Sequence, residues 1–210
     1  TGSILCSSCL ANIPPLPEPF CRHSSAPLAS YGICPSCSYS PMRLSGLRAV
    51  SLYQDPLRSL IHALKYKGNT RLAKPLGHLL AQAYLSSSFR ADIIIPMPLH
   101  YKRERQRGYN HARLLAEVCA AEVGVTLHND IVVRHRATRA QVDLKFQERH
   151  QNVAGAFACS PAFASGMLYG RTVLIVDDVC TTGSTLEACA APLFAAGAKA
   201  VWGLVLARPV

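Results

Sequence analysis

The stretch richest in chemistry is Val173-Leu174-Ile175-Val176-Asp177-Asp178-Val179-Cys180-Thr181-Thr182-Gly183-Ser184-Thr185. Its apolar run reads as a buried strand, two adjacent acids close it, and a turn of small hydroxylated residues opens the next helix. Backbone N–H groups at a helix N-terminus, joined by the hydroxyls of Thr181, Thr182, Ser184 and Thr185 around Gly183, suit a phosphate dianion. Asp177 and Asp178 would repel that phosphate, so they must face something else, either sugar hydroxyls or a divalent cation. In open α/β sheets ligands bind beyond the carboxyl ends of the strands, which is where these acids emerge.

The rest of the composition is consistent with an anionic partner. Lys and Arg number 22 against 12 acids, a formal charge of +10. Much of the excess lies in Lys102, Arg103, Arg105 and Arg107, and again in Arg134, Arg136 and Arg139. Nucleic acid, phosphate esters and acidic surfaces are the partner classes such a balance admits. The aromatics are sparse and do not interleave with these clusters, so no stacking platform for single strands is expected. His62, His78, His100, His111, His128 and His150 share no ligand-like spacing and read as surface or capping histidines.

The nine cysteines fall into two groups. An odd count without an export signal argues against a disulfide framework. Cys119 and Cys189 sit in apolar helical patterns and read as small core residues. Cys6-x-x-Cys9 and Cys34-x-x-Cys37 are knuckle pairs, each able to present two thiolates to one tetrahedral ion. Residues 4–41 also hold seven prolines and no regular periodicity, so this segment needs a staple. Cys6, Cys9, Cys34 and Cys37 form the simplest complete ligand set for a structural Zn²⁺. The 24 residues between the pairs contain Cys21 and His23, which are alternative ligands.

The elements that must position these groups follow from periodicity. Leu47–Tyr53 reads as a strand, Pro56 opens a helix with Leu57, Leu60, Ile61 and Leu64 on one face, and a second helix runs from about Arg71 to Leu85. Asp92–Pro96 is a strand buried on both faces, followed by a basic loop, and Asn110 caps a helix reaching about Val123. Ile131–Arg134 is a further strand, and residues 135–152 form a polar loop or flap. Thr172–Val176 is a strand, a helix runs from Ser184 to about Ala196 where Gly197 stops it, and Val201–Leu206 closes as a strand. Alternating strands and helices with continuous apolar strands imply a parallel α/β sheet. No run reaches the length of about 18 apolar residues that spans a bilayer, and no signal peptide is evident, so a soluble, cytoplasmic protein with no membrane insertion is expected. The chain begins with Thr, and its N-terminus is expected to be incomplete.

The strand, acid pair and hydroxyl turn resemble the phosphoribosyl-pyrophosphate loop of type I phosphoribosyltransferases. Further motifs resemble the ComF family of competence-associated, amidophosphoribosyltransferase-like proteins. They are Leu64-Lys65-Tyr66-Lys67-Gly68, Pro96-Met97-Pro98-Leu99 with Arg107-Gly108-Tyr109-Asn110, Arg136-Ala137-Thr138-Arg139-Ala140-Gln141, Arg149-His150-Gln151-Asn152-Val153, Gly155-Ala156-Phe157 and the amino-terminal cysteine pairs. The resemblance covers essentially the whole chain. It implies an α/β fold of the type I phosphoribosyltransferase kind over residues 42–210, with a small zinc-ribbon-like module over residues 1–41.

The same resemblance implies roles. Asp177 and Asp178 would contact the ribose hydroxyls as the catalytic acids, and Thr181–Thr185 would cradle the 5′-phosphate. Pro96, Met97, Pro98 and Leu99, with Arg103 and Arg107, would form the pyrophosphate subsite. Arg139, Gln141 and Arg149 would belong to a flap closing over the reacting centre. Mg²⁺ would accompany phosphoribosyl pyrophosphate, and the phosphoribosyl group would pass to an acceptor that no segment specifies. The family's link to competence implies an alternative role in DNA uptake, with single-stranded DNA and DNA-uptake proteins as partners. Relatives often carry four Cys-x-x-Cys pairs in a double zinc ribbon. Here Cys21-Arg22-His23-Ser24 resembles the third pair with Ser in place of its last Cys, and the first pair would lie before Thr1.

Overall fold

The structure is a computed structural model that describes residues 5, 7–39, 41–137, 153–163 and 166–209. Its centre is a five-stranded sheet in the order β1-β7-β6-β2-β3, with every pairing parallel. The strands are β1 (Gly46–Leu52), β2 (Ile93–Pro96), β3 (Thr126–Leu127), β6 (Thr172–Val179) and β7 (Ala200–Arg208). A separate antiparallel pair joins β4 (Val132–Arg134), the strand expected at 131–134, to β5 (Phe157–Cys159), which had no counterpart in the periodicity.

The continuous apolar runs are buried on both faces, as a parallel sheet requires. Ile93, Ile95, Val173, Ile175, Val201 and Val205 face one way, onto helix α7 (Ser184–Ala195) and the β4–β5 pair. Ile94, Leu174, Val176, Leu204 and Leu206 face the other way. They meet α3 (Leu57–Tyr66), α4 (Ala73–Leu85) and α6 (His111–Val123). Cys119 and Cys189 are fully buried in these two layers. Asn110 caps α6 by accepting from the amides of Ala112 and Arg113.

The basic stretch after Pro98, expected as a loop, is a helix, α5 (Tyr101–Arg107). The reason is local: Lys, Arg, Glu and Gln are all good helix formers. His100 accepts from the Lys102 amide at one end, and Gly108 ends the helix in the left-handed region at φ 84°. The strand at 172 also runs on to Val179, so both acids lie within paired strand.

The cysteine-rich segment contains two short helices, α1 (Ser7–Ala11) and α2 (Pro35–Tyr39), and leans on the sheet. Leu16 donates its amide to the Val50 carbonyl (3.0 Å), and Ser25 Oγ both donates to the Leu47 carbonyl (2.7 Å) and accepts from the Ala49 amide (3.1 Å). Leu5, Ile13 and Leu16 are buried in the main core. No described helix is long and apolar enough to cross a membrane.

Candidate functional site

β6 delivers Asp177 and Asp178 to the carboxyl end of the sheet, and each acid folds back onto the chain after it. The Asp178 amide donates to Asp177 Oδ1 (2.9 Å) and the Val179 amide to Asp178 Oδ1 (2.8 Å). The turn then swings into α7 through Gly183, whose φ of 83° suits glycine. A Cβ at that residue would also lie only 2.9 Å from Met42 Sδ. Thr182 Oγ1 and Ser184 Oγ are 2.7 Å apart, holding the turn's hydroxyls together. A crevice lined by Asp177, Thr181, Gly183, Ser184 and Thr185 opens at this point.

The crevice adjoins a larger cavity of about 410 Å³ whose wall includes Asp177, Thr181 and Thr185 together with Met97, Pro98, Leu99, Arg103 and Arg107. The pyrophosphate-subsite residues expected from the sequence therefore reach the cleft, except Pro96, which ends β2 among buried residues. Asn110 ties this wall together, since its Nδ2 donates to the Met97 carbonyl (3.1 Å) while its Oδ1 caps α6. Arg139, Gln141 and Arg149 lie outside the described residues.

Three participants were missed by sequence reasoning. Lys65 Nζ lies 2.6 Å from Asp178 Oδ2, with the two side chains 23% and 3% exposed. His111, expected as a surface or capping histidine, is buried with Nε2 3.5 Å from the same oxygen. Arg107 has only donors, so its 2.6 Å contact with His111 Nδ1 makes that nitrogen the acceptor and leaves Nε2–H facing Asp178. Arg134 is the third, on the cavity wall from β4, its guanidinium 5.3 Å from the Phe157 ring centroid. A signal for Lys65 existed: it follows Ile61 by four residues, so it shares the helix face that turns inward.

Burial and neighbouring charge drive the two acids apart. Burial alone would raise the Asp178 carboxyl, but Lys65 and His111 more than reverse this and hold it well below the usual carboxylate range. Asp177 is pushed up to about 6, first by burial and second by the charge of Asp178 beside it. Burial would lower Lys65, and the two carboxylates outweigh that and raise it. Arg134 is lowered by burial and then by the nearby Arg103 guanidinium, a crowding of like charge that an anion in the cleft would relieve.

The cysteines assemble differently from the simplest ligand set. Cys34 and Cys37 are joined by Cys21, all three buried, with their sulfurs within 4.8 Å of one another. Cys9, on exposed α1, is not in that group, and Cys6 lies outside the described residues. The physical reason is the turn at 21–26: the Cys21 amide donates to the Ala26 carbonyl (2.7 Å) and the Ser25 amide to the Cys21 carbonyl (2.8 Å). This presents Cys21 to the knuckle in which the Cys37 amide donates to Cys34 Sγ (3.5 Å). Ser24 Oγ, at the position of the replaced cysteine, lies 3.5 Å from Cys34 Sγ. Burial opposes ionisation of Cys21, yet hydrogen bonds from the Cys34 amide and Ser24 bring it down to about 7. Cys37 is pushed up to about 11, first by burial and further by its sulfur neighbours. A cation among the three would reverse that penalty, so the donor set fits a thiophilic ion. Met42 packs against this cluster and against the turn at Gly183, while Glu187 in α7 accepts the amides of Arg43 and Leu44 (both 2.9 Å).

Residues 110–208 match the phosphoribosyl transferase domain, so the sheet end and its turn define a phosphoribosyltransferase-type domain. Over 211 aligned residues the chain is 32% identical to Competence protein F of Haemophilus influenzae, covering 97% of this chain and 90% of that one. It is 33% identical over 180 residues to DNA utilization protein YhgH of Escherichia coli, covering 83% and 77%. Identity to Competence protein ComFC of Bacillus subtilis is 22% over 210 residues, covering 93% and 80%. The chain belongs to the ComF family of phosphoribosyltransferase-like proteins.

Two outcomes follow from the charge arrangement. Lys65→Met strands a buried carboxylate and should cost about 3 kcal/mol, the low end for a broken buried pair. That lowers the melting temperature by roughly 6–12 °C, and adding Asp178→Asn should restore part of the loss; an unchanged melting temperature contradicts the pairing. Asp177 favours folding while protonated, and its ionisation costs stability as pH rises from its ordinary value of 3.8 to about 6, the full cost standing above that. Asp177→Asn should therefore raise the melting temperature by about 3 °C or more at pH 7.5 and by little near pH ~4. An equal gain at both would contradict this.

Proposed function

We propose that the cleft binds phosphoribosyl pyrophosphate, or another phosphorylated ribose, together with Mg²⁺. The 5′-phosphate sits in the Thr181–Thr185 turn, the ribose hydroxyls meet Asp177, and the pyrophosphate lies by Met97–Leu99 against Arg103 and Arg107. The observation that carries this reading is the continuity of one cavity of about 410 Å³ from the turn, past the acids, to those guanidinium groups. Asp178 is already engaged by an ammonium, so Asp177 is the carboxylate left to face a ligand-borne cation. When bound, Mg²⁺ would neutralise charge on the pyrophosphate as it departs.

With that ligand the cleft is equipped for phosphoribosyl transfer. Departure of pyrophosphate from C1 leaves an oxocarbenium-like ribose, so the protein needs no nucleophile of its own. Arg103 and Arg107 stabilise the charge on the leaving group. In calorimetric titration, Asp177→Asn should weaken Mg²⁺–phosphoribosyl pyrophosphate binding by about tenfold or more; unchanged affinity refutes the reading. A second reading, single-stranded DNA handling in DNA uptake, is favoured by the names of the relatives and by the charge of +10. It requires DNA binding that falls steeply with salt and survives Asp177→Asn.

We also propose that Cys21, Cys34 and Cys37 hold a structural Zn²⁺, with Ser24 beside the fourth position. Zn–S bonds of about 2.3 Å place tetrahedral thiolates about 3.8 Å apart, within the reach of a small contraction of this cluster. Metal analysis of the purified chain should find roughly one zinc per chain held this way, and Cys37→Ser or Cys21→Ser should lose it. Retention of zinc in both variants would assign the ion elsewhere.

A further inference from the structure

The cysteine cluster and the hydroxyl-lined turn lie far apart along the chain, yet one side chain touches both. Met42 packs against the cluster of Cys21, Cys34 and Cys37 and also against the main core. Its Sδ rests over Gly183, where a Cβ would lie only 2.9 Å away. The residues after it hold it there. The Arg43 and Leu44 amides both donate to Glu187, in the first turn of α7, and Leu44 is buried. Ser45 then joins the sheet: its amide donates to the Val201 carbonyl (2.8 Å), and its Oγ accepts from the Val201 amide (3.2 Å).

The other side of the cluster is fixed. Ser25 Oγ is clamped between the Leu47 carbonyl and the Ala49 amide, and Arg208 donates to the Ser24 carbonyl. Cys21, bonded into the same turn, is therefore tied to the sheet. Cys34 immediately precedes α2 and Cys37 lies within it, and every other residue of α2 is exposed. The three sulfurs lie within 4.8 Å of one another, whereas thiolates on one tetrahedral zinc stand about 3.8 Å apart. Closing that gap moves the α2 side, since the Cys21 side is held. Met42 follows Cys37 by only five residues, and packed interiors pass such shifts on to their neighbours.

We propose that Met42, anchored by Glu187, is a positioning residue through which metal occupancy of the cysteine cluster sets the affinity of the turn at 181–185 for phosphate. With zinc in the cluster, Met42 is pressed onto Gly183 and the turn is fixed in the form that takes the anion, a gain by preorganisation. By linkage, the anion tightens zinc by the same factor. The proposal rests on the readings that the turn takes a sugar phosphate and that the cluster takes zinc.

The test titrates ribose 5-phosphate calorimetrically into the full chain, zinc-loaded and chelator-stripped, as wild type, Met42→Ala and Met42→Leu. Metal content and circular dichroism are recorded for each sample. Zinc-loaded wild type should bind about fivefold or more tighter than stripped wild type. Met42→Ala should retain its zinc and lose that difference, while Met42→Leu should keep it. The reciprocal measurement needs no stripped protein: ribose 5-phosphate should tighten zinc against a competing chelator by the same factor in wild type and not in Met42→Ala. Where stripping unfolds the chain, this second measurement decides alone. Equal affinity in loaded and stripped wild type overturns the proposal, as does a difference that survives in Met42→Ala. Zinc-loaded wild type that binds no ribose 5-phosphate sinks the sugar-phosphate reading, and a chain that holds no zinc sinks the metal reading. Either takes this proposal with it.

Discussion

Two carboxylates on consecutive residues at a buried strand end cannot both stay ionised without a cation near them. The Lys65–Asp178 pair answers that constraint, and much of the cleft follows from it. The pair ties α3, which belongs to one layer of helices, to the tip of β6 at the centre of the sheet. It also divides labour between adjacent acids of the same type. Asp178, buried between an ammonium and His111, acts in the framework, while Asp177 is left facing the cavity with a raised affinity for its proton.

Around that pair, charge is layered outward. Arg107 donates to His111 and covers Tyr66, so one guanidinium touches both the acid network and an aromatic ring of the cavity wall. Arg103 and Arg134 line the same cavity, and the charge of the first lowers the second. Beside the turn at 181–185, Met42 and Glu187 connect the cysteine cluster to Gly183 and α7. The amino-terminal segment is thus a buttress of the turn at 181–185 as well as a metal-site candidate. A change in the cysteine cluster would be felt at the turn through direct packing.

The parts legible in the sequence were those set by local pattern. The β-branched runs at 92–96 and 172–176 gave buried strands because a parallel sheet shields both faces, and Asn110 gave a helix start because its side chain satisfies the first free amides. The strand, acid pair and turn into the next helix were legible because they lie within thirteen consecutive residues. Lys65, His111 and Tyr66 were not, since their meaning depends on contacts 41 to 113 residues away along the chain. A histidine one residue inside a capped helix looks like a surface residue until β6 is brought beneath it. The cysteine grouping shows the same limit: equal spacing in Cys6-x-x-Cys9 and Cys34-x-x-Cys37 suggested pairing by likeness and left Cys21 as an alternative ligand, whereas the turn at 21–26 brings Cys21 to Cys34 and Cys37.

The most direct measurement is a crystal structure of the chain with ribose 5-phosphate. The account predicts phosphate oxygens on the amides and hydroxyls of Thr181–Thr185, ribose hydroxyls on Asp177, and Lys65 still paired with Asp178. A sugar bound through Asp178 with Lys65 displaced, or a phosphate seated away from that turn, would contradict it.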